Sequence, residues 1–209
     1  MEKEDKKLKV YELIIGNKKT NGITAMSLVD CPAVDIDFLT FQKQEKLNFK
    51  IENEEKRIIT GVALVPDKQI YRYNFQTDEE YYVYFSKITV ENLAYDFLLN
   101  NKQNNITLQH SLNGNGVKLI ESWLSKNENE LGLPTPKGTW YVSYKVENDE
   151  IWEDVKNGEF KGFSVEVYTN KIKTDLDINL DKDISELTDK EIQSKNILVD
   201  KNNKFMKYL

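Results

Sequence analysis

Between Arg57 and Ser86 the sequence RIITGVALVPDKQIYRYNFQTDEEYYVYFS places three runs of β-branched and aromatic residues almost end to end. The breaks between them, Pro66-Asp67 and the polar QTDEE, have the composition of turns. Runs this short and this close leave no room for the crossover helices of repeated βαβ units. Further strand-like runs lie on either side: KLKVYELIIG, GITAMSLV, ITLQHSL, VKLIESWL, GTWYVSYKV and KGFSVEVY. The expected fold is therefore a β-rich α+β class, its strands wrapped into one closed or strongly bent β-barrel with flanking helices.

Two helices stand out against the strands. Val90, Leu93, Ala94, Phe97 and Leu98 recur at the spacing of one helical face, with Thr89 read as the N-cap. Asp149 to Asn157 reads as a short helix burying Ile151, Trp152 and Val155, with Gly158 just past its end. The main domain is expected over residues 57–170. Residues 1–56 hold N-terminal strands, read as a hairpin across NKKTNG, and the charged linker QKQEKLNFKIENEEKR. Residues 171–209 read as a charged tail, partly helical around Ile184, Leu187 and Ile192.

With 39% hydrophobic residues in 209, the chain can bury a substantial core. Its net charge of −6 argues against partners such as nucleic acid or an anionic membrane. Only Arg57 and Arg72 among the 29 basic residues are arginines, so bidentate phosphate clamps are scarce. Cys31 is the one cysteine, which excludes an internal disulfide, and the chain has no apolar run long enough for a membrane span. These features predict a cytosolic protein. One histidine, one cysteine and scattered carboxylates, without HExxH or CxxC spacing, give no metal site, and no cofactor motif is present.

The candidate chemistry is nucleophilic. A serine hydroxyl needs a base to take its proton, and a single histidine suffices. His110, the only histidine, lies in ITLQHSL, where a continuous strand would set it on one side with Ile106, Leu108 and Leu112. That placement also suits a structural core histidine. If Asn113 to Gly116 (NGNG) is the loop of a hairpin, Leu112 pairs with Val117, His110 faces Leu119, and Glu121 lies diagonally beside the imidazole.

In KGFSVEVY, Ser164 and Glu166 share one side of a strand and Phe163, Val165 and Val167 the other. Alternation alone equally suits a half-solvated strand with polar residues outward. Glu166 and Glu121 are thus alternative third members beside His110 and Ser164. The elbow of α/β-hydrolases is not matched, since no glycine follows at the required spacing.

Taken together, GVALVPDKQIYR, YYVYFSKITVENLA, NNITLQHS, GVKLIESWL and PKGTWYVSYKVENDEIWEDVKNGEFKGFSVEVY resemble the XkdF-like serine proteases of phages, a branch of the prohead (capsid maturation) proteases. The similarity covers about residues 57–170, and GITAMSLVDCPAVDIDF resembles the lead-in of that family. The resemblance implies an assemblin-like barrel, as in herpesviruses, with serine and histidine on its strands. It also implies a serine endopeptidase that cleaves phage scaffold and major capsid proteins inside the assembling procapsid, in the host cytoplasm, as a homodimer. His110 in LQHS matches the family's histidine and Ser164 in GFSVE its serine. Herpesvirus relatives use a second histidine as third member; this chain has none, so a carboxylate must fill that place or it stays empty. A capsid-assembly protein that keeps the fold for binding, without catalysis, is the alternative.

Overall fold

The structure, a computed structural model, describes residues 7–15, 22–30, 32, 49–74 and 76–179. Twelve strands and two α-helices follow one another: β1 (Lys7–Ile14), β2 (Gly22–Val29), β3 (Phe49–Asn53), β4 (Ile58–Leu64), β5 (Ile70–Asn74), β6 (Glu79–Tyr84), α1 (Lys87–Leu99), β7 (Ile106–Leu108), β8 (Leu112–Asn113), β9 (Val117–Leu124), β10 (Trp140–Val146), α2 (Asp149–Lys156), β11 (Gly162–Tyr168) and β12 (Asn170–Asn179).

The β-rich character expected from the sequence is present, but the single closed or strongly bent barrel is not. The strands divide into three four-stranded sheets, ordered β12-β1-β6-β5, β3-β4-β10-β9 and β11-β2-β7-β8. Closing a barrel requires the first and last strands of a sheet to pair. Here β12 and β5, β3 and β9, and β11 and β8 each remain edges of their own sheet. Among the described strands no closed, assemblin-like barrel is formed.

The division follows from long-range pairing that local patterning does not encode. β1 and β2 were expected to form one hairpin, yet they enter different sheets. β1 lies between β12, antiparallel, and β6, parallel. β2 lies between β11, antiparallel, and β7, parallel. The charged stretch read as a linker contributes β3, which pairs with β4. The segment read as a tail begins with β12 on β1, and the helical pattern around Ile184, Leu187 and Ile192 lies outside the described residues.

Both helices form where their periodicity predicts. In α1, Val90, Leu93, Ala94 and Phe97 are buried; the N-cap is Ser86, three residues before the expected Thr89, which is itself buried within the helix. In α2, the Asn148 side chain accepts a hydrogen bond from the Ile151 amide at 3.0 Å, satisfying one of the free N–H groups of the first turn. Gly158 ends it with φ of 75°, a conformation that costs glycine little.

The sheets share a core built around fully buried aromatics. Phe97 of α1 meets Trp140 edge-on with centroids 5.4 Å apart, and Tyr144 of β10 lies 5.3 Å from Phe163 of β11. Phe163 points away from Ser164 on the same strand, so its burial fixes which side the serine occupies. Replacing it, Phe163→Ala, is expected to destabilise the chain by about 3–5 kcal/mol, read as a lowered midpoint in urea unfolding followed by tryptophan fluorescence.

Candidate active site

β11 is an edge strand whose neighbour β2 is flanked in turn by β7, and the register aligns three hydroxyl residues across them. Ser164 of β11 faces Ser27 of β2, and Ser27 faces Thr107 of β7. Directly opposed residues share a side of the sheet. Glu166, two positions beyond Ser164, lies on that same side. Both are buried, at 6% exposure each, so the alternation in GFSVEVY does not mark a half-solvated strand.

His110 does not sit in a strand. β7 ends at Leu108, and the chain reverses through Gln109 and His110 before β8 returns antiparallel along β7. Gln109 and His110 have φ of 50° and 57°, and the Ser111 amide donates to the Leu108 carbonyl at 3.1 Å. Positive φ at both central positions with that closing bond is the pattern of a type I′ turn, which normally recruits Asn and Gly. Holding larger residues there costs on the order of 1–3 kcal/mol each, and such conformations persist only when their surroundings enforce them.

The surroundings do enforce it. The Gln109 amide donates to Leu28 O at 2.9 Å, and the His110 amide donates to Ser27 Oγ at 3.0 Å. Ser27 is fully buried and its hydroxyl donates onward to Thr107 O at 3.2 Å. The ring is fixed separately: His110 Nδ1 lies 3.0 Å from Glu166 Oε1, with both side chains below 10% exposure. Thr107 Oγ1 donates to the same carboxylate oxygen at 2.6 Å.

These contacts favour the ionised form of Glu166. Burial by itself would raise the Glu166 carboxyl, but the hydrogen bonds from His110 and Thr107 and the charge of His110 together outweigh it, and the net shift is downward. An ionised carboxylate only accepts, so the Nδ1–H of His110 is the donor in this contact, which leaves Nε2 as the ring nitrogen turned away from Glu166. A histidine held this way is oriented to take a proton.

Glu121 is placed elsewhere. The hairpin expected across NGNG does not form: Gly114 to Val117 is a turn, but β8 before it pairs with β7, and β9 after it pairs with β10. Glu121 accepts from Ser143 Oγ at 3.0 Å, which in turn lies 2.8 Å from Thr60 Oγ1, a polar chain in another sheet. Sequence reasoning did not single out Ser27 or Thr107. Their signal is faint: Thr107 is the single hydroxyl of β7 and Ser27 one of two in β2, and only the register reveals the row. Among the described residues, no group of three or more His, Cys, Asp or Glu side chains could hold a metal ion, and no helix is long and apolar enough to cross a membrane.

The sheet β11-β2-β7-β8 thus carries Ser164 and Glu166 on one side of β11, with Glu166 bound to His110 from the β7–β8 turn. Comparison with known proteins gives the family. The family described as "Putative phage serine protease XkdF" matches residues 46–173, more than half of the chain, and the chain belongs to it. Two Bacillus subtilis (strain 168) proteins are similar to it. "Phage-like element PBSX protein XkdF" is 27% identical over 152 residues, covering 68% of this chain and 51% of the relative. "Uncharacterized protein YqbD" is 29% identical over 152 residues, covering 68% and 43%. The chain therefore spans about half the length of the curated relatives it matches or less. No solved structure matches it.

Two expectations follow. Ser27→Ala leaves the buried His110 amide without its acceptor and is expected to cost about 1–3 kcal/mol in urea unfolding. Because the folded-state pKa of Glu166 is depressed, its stabilisation is complete above the ordinary carboxylate range and lost as pH falls through the folded value. Glu166→Gln removes that part of the acid limb, so the variant's unfolding free energy is expected to fall less steeply than wild type between neutral and acidic pH.

Proposed function

We propose that the chain is a serine endopeptidase in which Ser164 is the nucleophile, His110 the general base and Glu166 the group that orients and charges the base. The observation that carries this reading is the 3.0 Å contact between His110 Nδ1 and Glu166 Oε1. Glu166 and Ser164 are two residues apart on β11, about 6.6 Å at the usual strand rise. In this reading the imidazole holds the carboxylate by one nitrogen and takes the proton of the Ser164 hydroxyl with the other. Ser164 Oγ would attack the scissile carbonyl while its proton passes to His110 Nε2. The imidazolium so formed is stabilised by Glu166, and it returns the proton to the leaving amine. Water then releases the acyl group by the same relay in reverse.

The substrates proposed are scaffold and capsid protein segments inside an assembling phage procapsid, in the cytoplasm of the host. The family described as a phage serine protease and the phage-like relative support a phage protease; the substrates and the compartment are the proposal's own step. Glu121, bound to Ser143 in a different sheet, is not part of this proposal.

A second reading, a capsid-assembly protein that keeps the fold without cleaving, draws on a specific observation: Ser164 is only 6% exposed, and a protein substrate needs an open path to it. The two readings separate experimentally. A fluorophosphonate probe is expected to label the wild-type chain and not Ser164→Ala, and His110→Ala is expected to slow labelling by about 10²- to 10⁴-fold. Labelling that survives in Ser164→Ala excludes this nucleophile. Incubation with the scaffold and shell subunits of the same phage, read by mass spectrometry of fragments, is expected to show cleavage that Ser164→Ala abolishes. Intact subunits with the wild-type chain would favour the second reading.

A further inference from the structure

Away from the site, α1 and β9 enclose a groove of about 430 Å³. One flank is a single side of α1, lined by Lys87, Glu91, Ala94, Tyr95 and Leu98, the spacing of neighbouring turns. The other flank is consecutive residues at the end of β9, Ser122 to Lys126. When successive residues line a groove, including side chains from both faces of the strand, the strand presents its edge rather than a face.

That edge is unpartnered among the described strands, since β9 has only β10 beside it. The Ser125 amide donates to Thr139 O at 2.8 Å and its carbonyl accepts from the Gly138 amide at 3.0 Å, so Ser125 faces the β10 side. The alternation of an antiparallel ladder then turns the amides and carbonyls of Leu124 and Ser122 outward, toward the groove. A free edge beside a helix is the geometry in which an extended peptide is added as a further strand: the main chain supplies the hydrogen bonds and the helix side supplies contacts for alternate side chains.

The side chains state what kind of peptide fits. Tyr95 and Leu98 are 52% and 41% exposed, an apolar surface for one set of alternate residues. Lys87, Lys126 and Lys137 line the groove on a chain whose net charge is −6, and no ion pair joins any of them to a carboxylate among the described residues. Lys87 begins α1 and lies across Gly138, and Lys126 is two residues past the end of β9, so Lys87, Lys126 and Lys137 gather at one end, where the positive end of the α1 dipole also lies. The one carboxylate on the helix flank, Glu91, accepts from the Tyr95 hydroxyl at 3.1 Å.

We infer that this groove takes an extended acidic peptide segment of a partner protein, added to β9 as a fifth strand of the β3-β4-β10-β9 sheet. Its carboxylates meet Lys87, Lys126 and Lys137, and its apolar side chains lie on Tyr95 and Leu98. The inference does not depend on the proposed catalysis, because β9 and Ser164 belong to different sheets.

The test uses the full chain carrying Ser164→Ala, so that no probe can be consumed. The probe is a fluorescein-labelled ten-residue peptide of alternating Glu and Val, compared with its Lys-for-Glu counterpart and with the acidic peptide N-methylated at alternate amides. Fluorescence anisotropy is expected to show saturable binding of the acidic peptide, at least tenfold weaker for both controls. Lys126→Glu combined with Lys137→Glu is expected to weaken it at least tenfold while leaving the circular dichroism and urea midpoint unchanged. Hydrogen exchange is expected to slow at the Ser122 and Leu124 amides on peptide addition. Equal binding of acidic and basic peptides, or absence of binding, overturns the inference. So does protection that avoids β9. Protection of those two amides that grows with protein concentration and without peptide assigns the edge to a second copy of the chain and overturns it as well.

Discussion

The bond between His110 and Glu166 is the constraint around which the site is arranged. It joins a side chain on a turn to a side chain on a strand, with a sequence separation of 56 between them. The carboxylate is buried, which alone would favour its neutral form; the bonds from His110 and Thr107 reverse that preference. An ionised Glu166 in turn leaves Nδ1 no role except donor. The contact therefore uses Nδ1 and leaves the other ring nitrogen turned away from the carboxylate. The strained turn at Gln109 and His110 belongs to the same arrangement, since it aims the imidazole where a strand position would not.

That turn depends on β2. Ser27 Oγ takes the His110 amide and Leu28 O takes the Gln109 amide, so an N-terminal strand holds the histidine from below while β11 holds it from the side. The matched family region begins at residue 46, yet β1 and β2, which precede it, occupy interior positions in two of the three sheets. A sheet that loses an interior strand loses pairing on both sides. The N-terminal segment is thus structurally part of the candidate site, because β2 lies between β11, which carries Ser164 and Glu166, and β7, which leads into the His110 turn.

The third sheet has a different character. Its polar chain of Thr60, Ser143 and Glu121 is satisfied internally, and its free edge at β9 opens to a lysine-rimmed groove. Ser164, His110 and Glu166 therefore reside on a different sheet from the free edge of β9, the two held by one aromatic core.

The sequence by itself determined the local structure. Period-two alternation and β-branched runs marked the strands, the spacing of Val90, Leu93, Ala94 and Phe97 marked α1, and the side shared by Ser164 and Glu166 followed from the strand repeat. These properties are legible because each depends on residues a few positions apart. Tertiary structure decided the rest. ITLQHSL reads as one strand, but the carbonyl of Leu28 and the hydroxyl of Ser27 stabilise a reversal at His110 that no local preference supplies. Glu121 and Glu166 were equivalent as carboxylates near a histidine until pairing sent β9 to β10 and β11 to β2. The barrel was likewise a guess about closure, and closure depends on which distant edges meet. Alternation says which face of a strand is buried; it does not say against which neighbour, because apolar burial is non-directional and many partners satisfy it equally well.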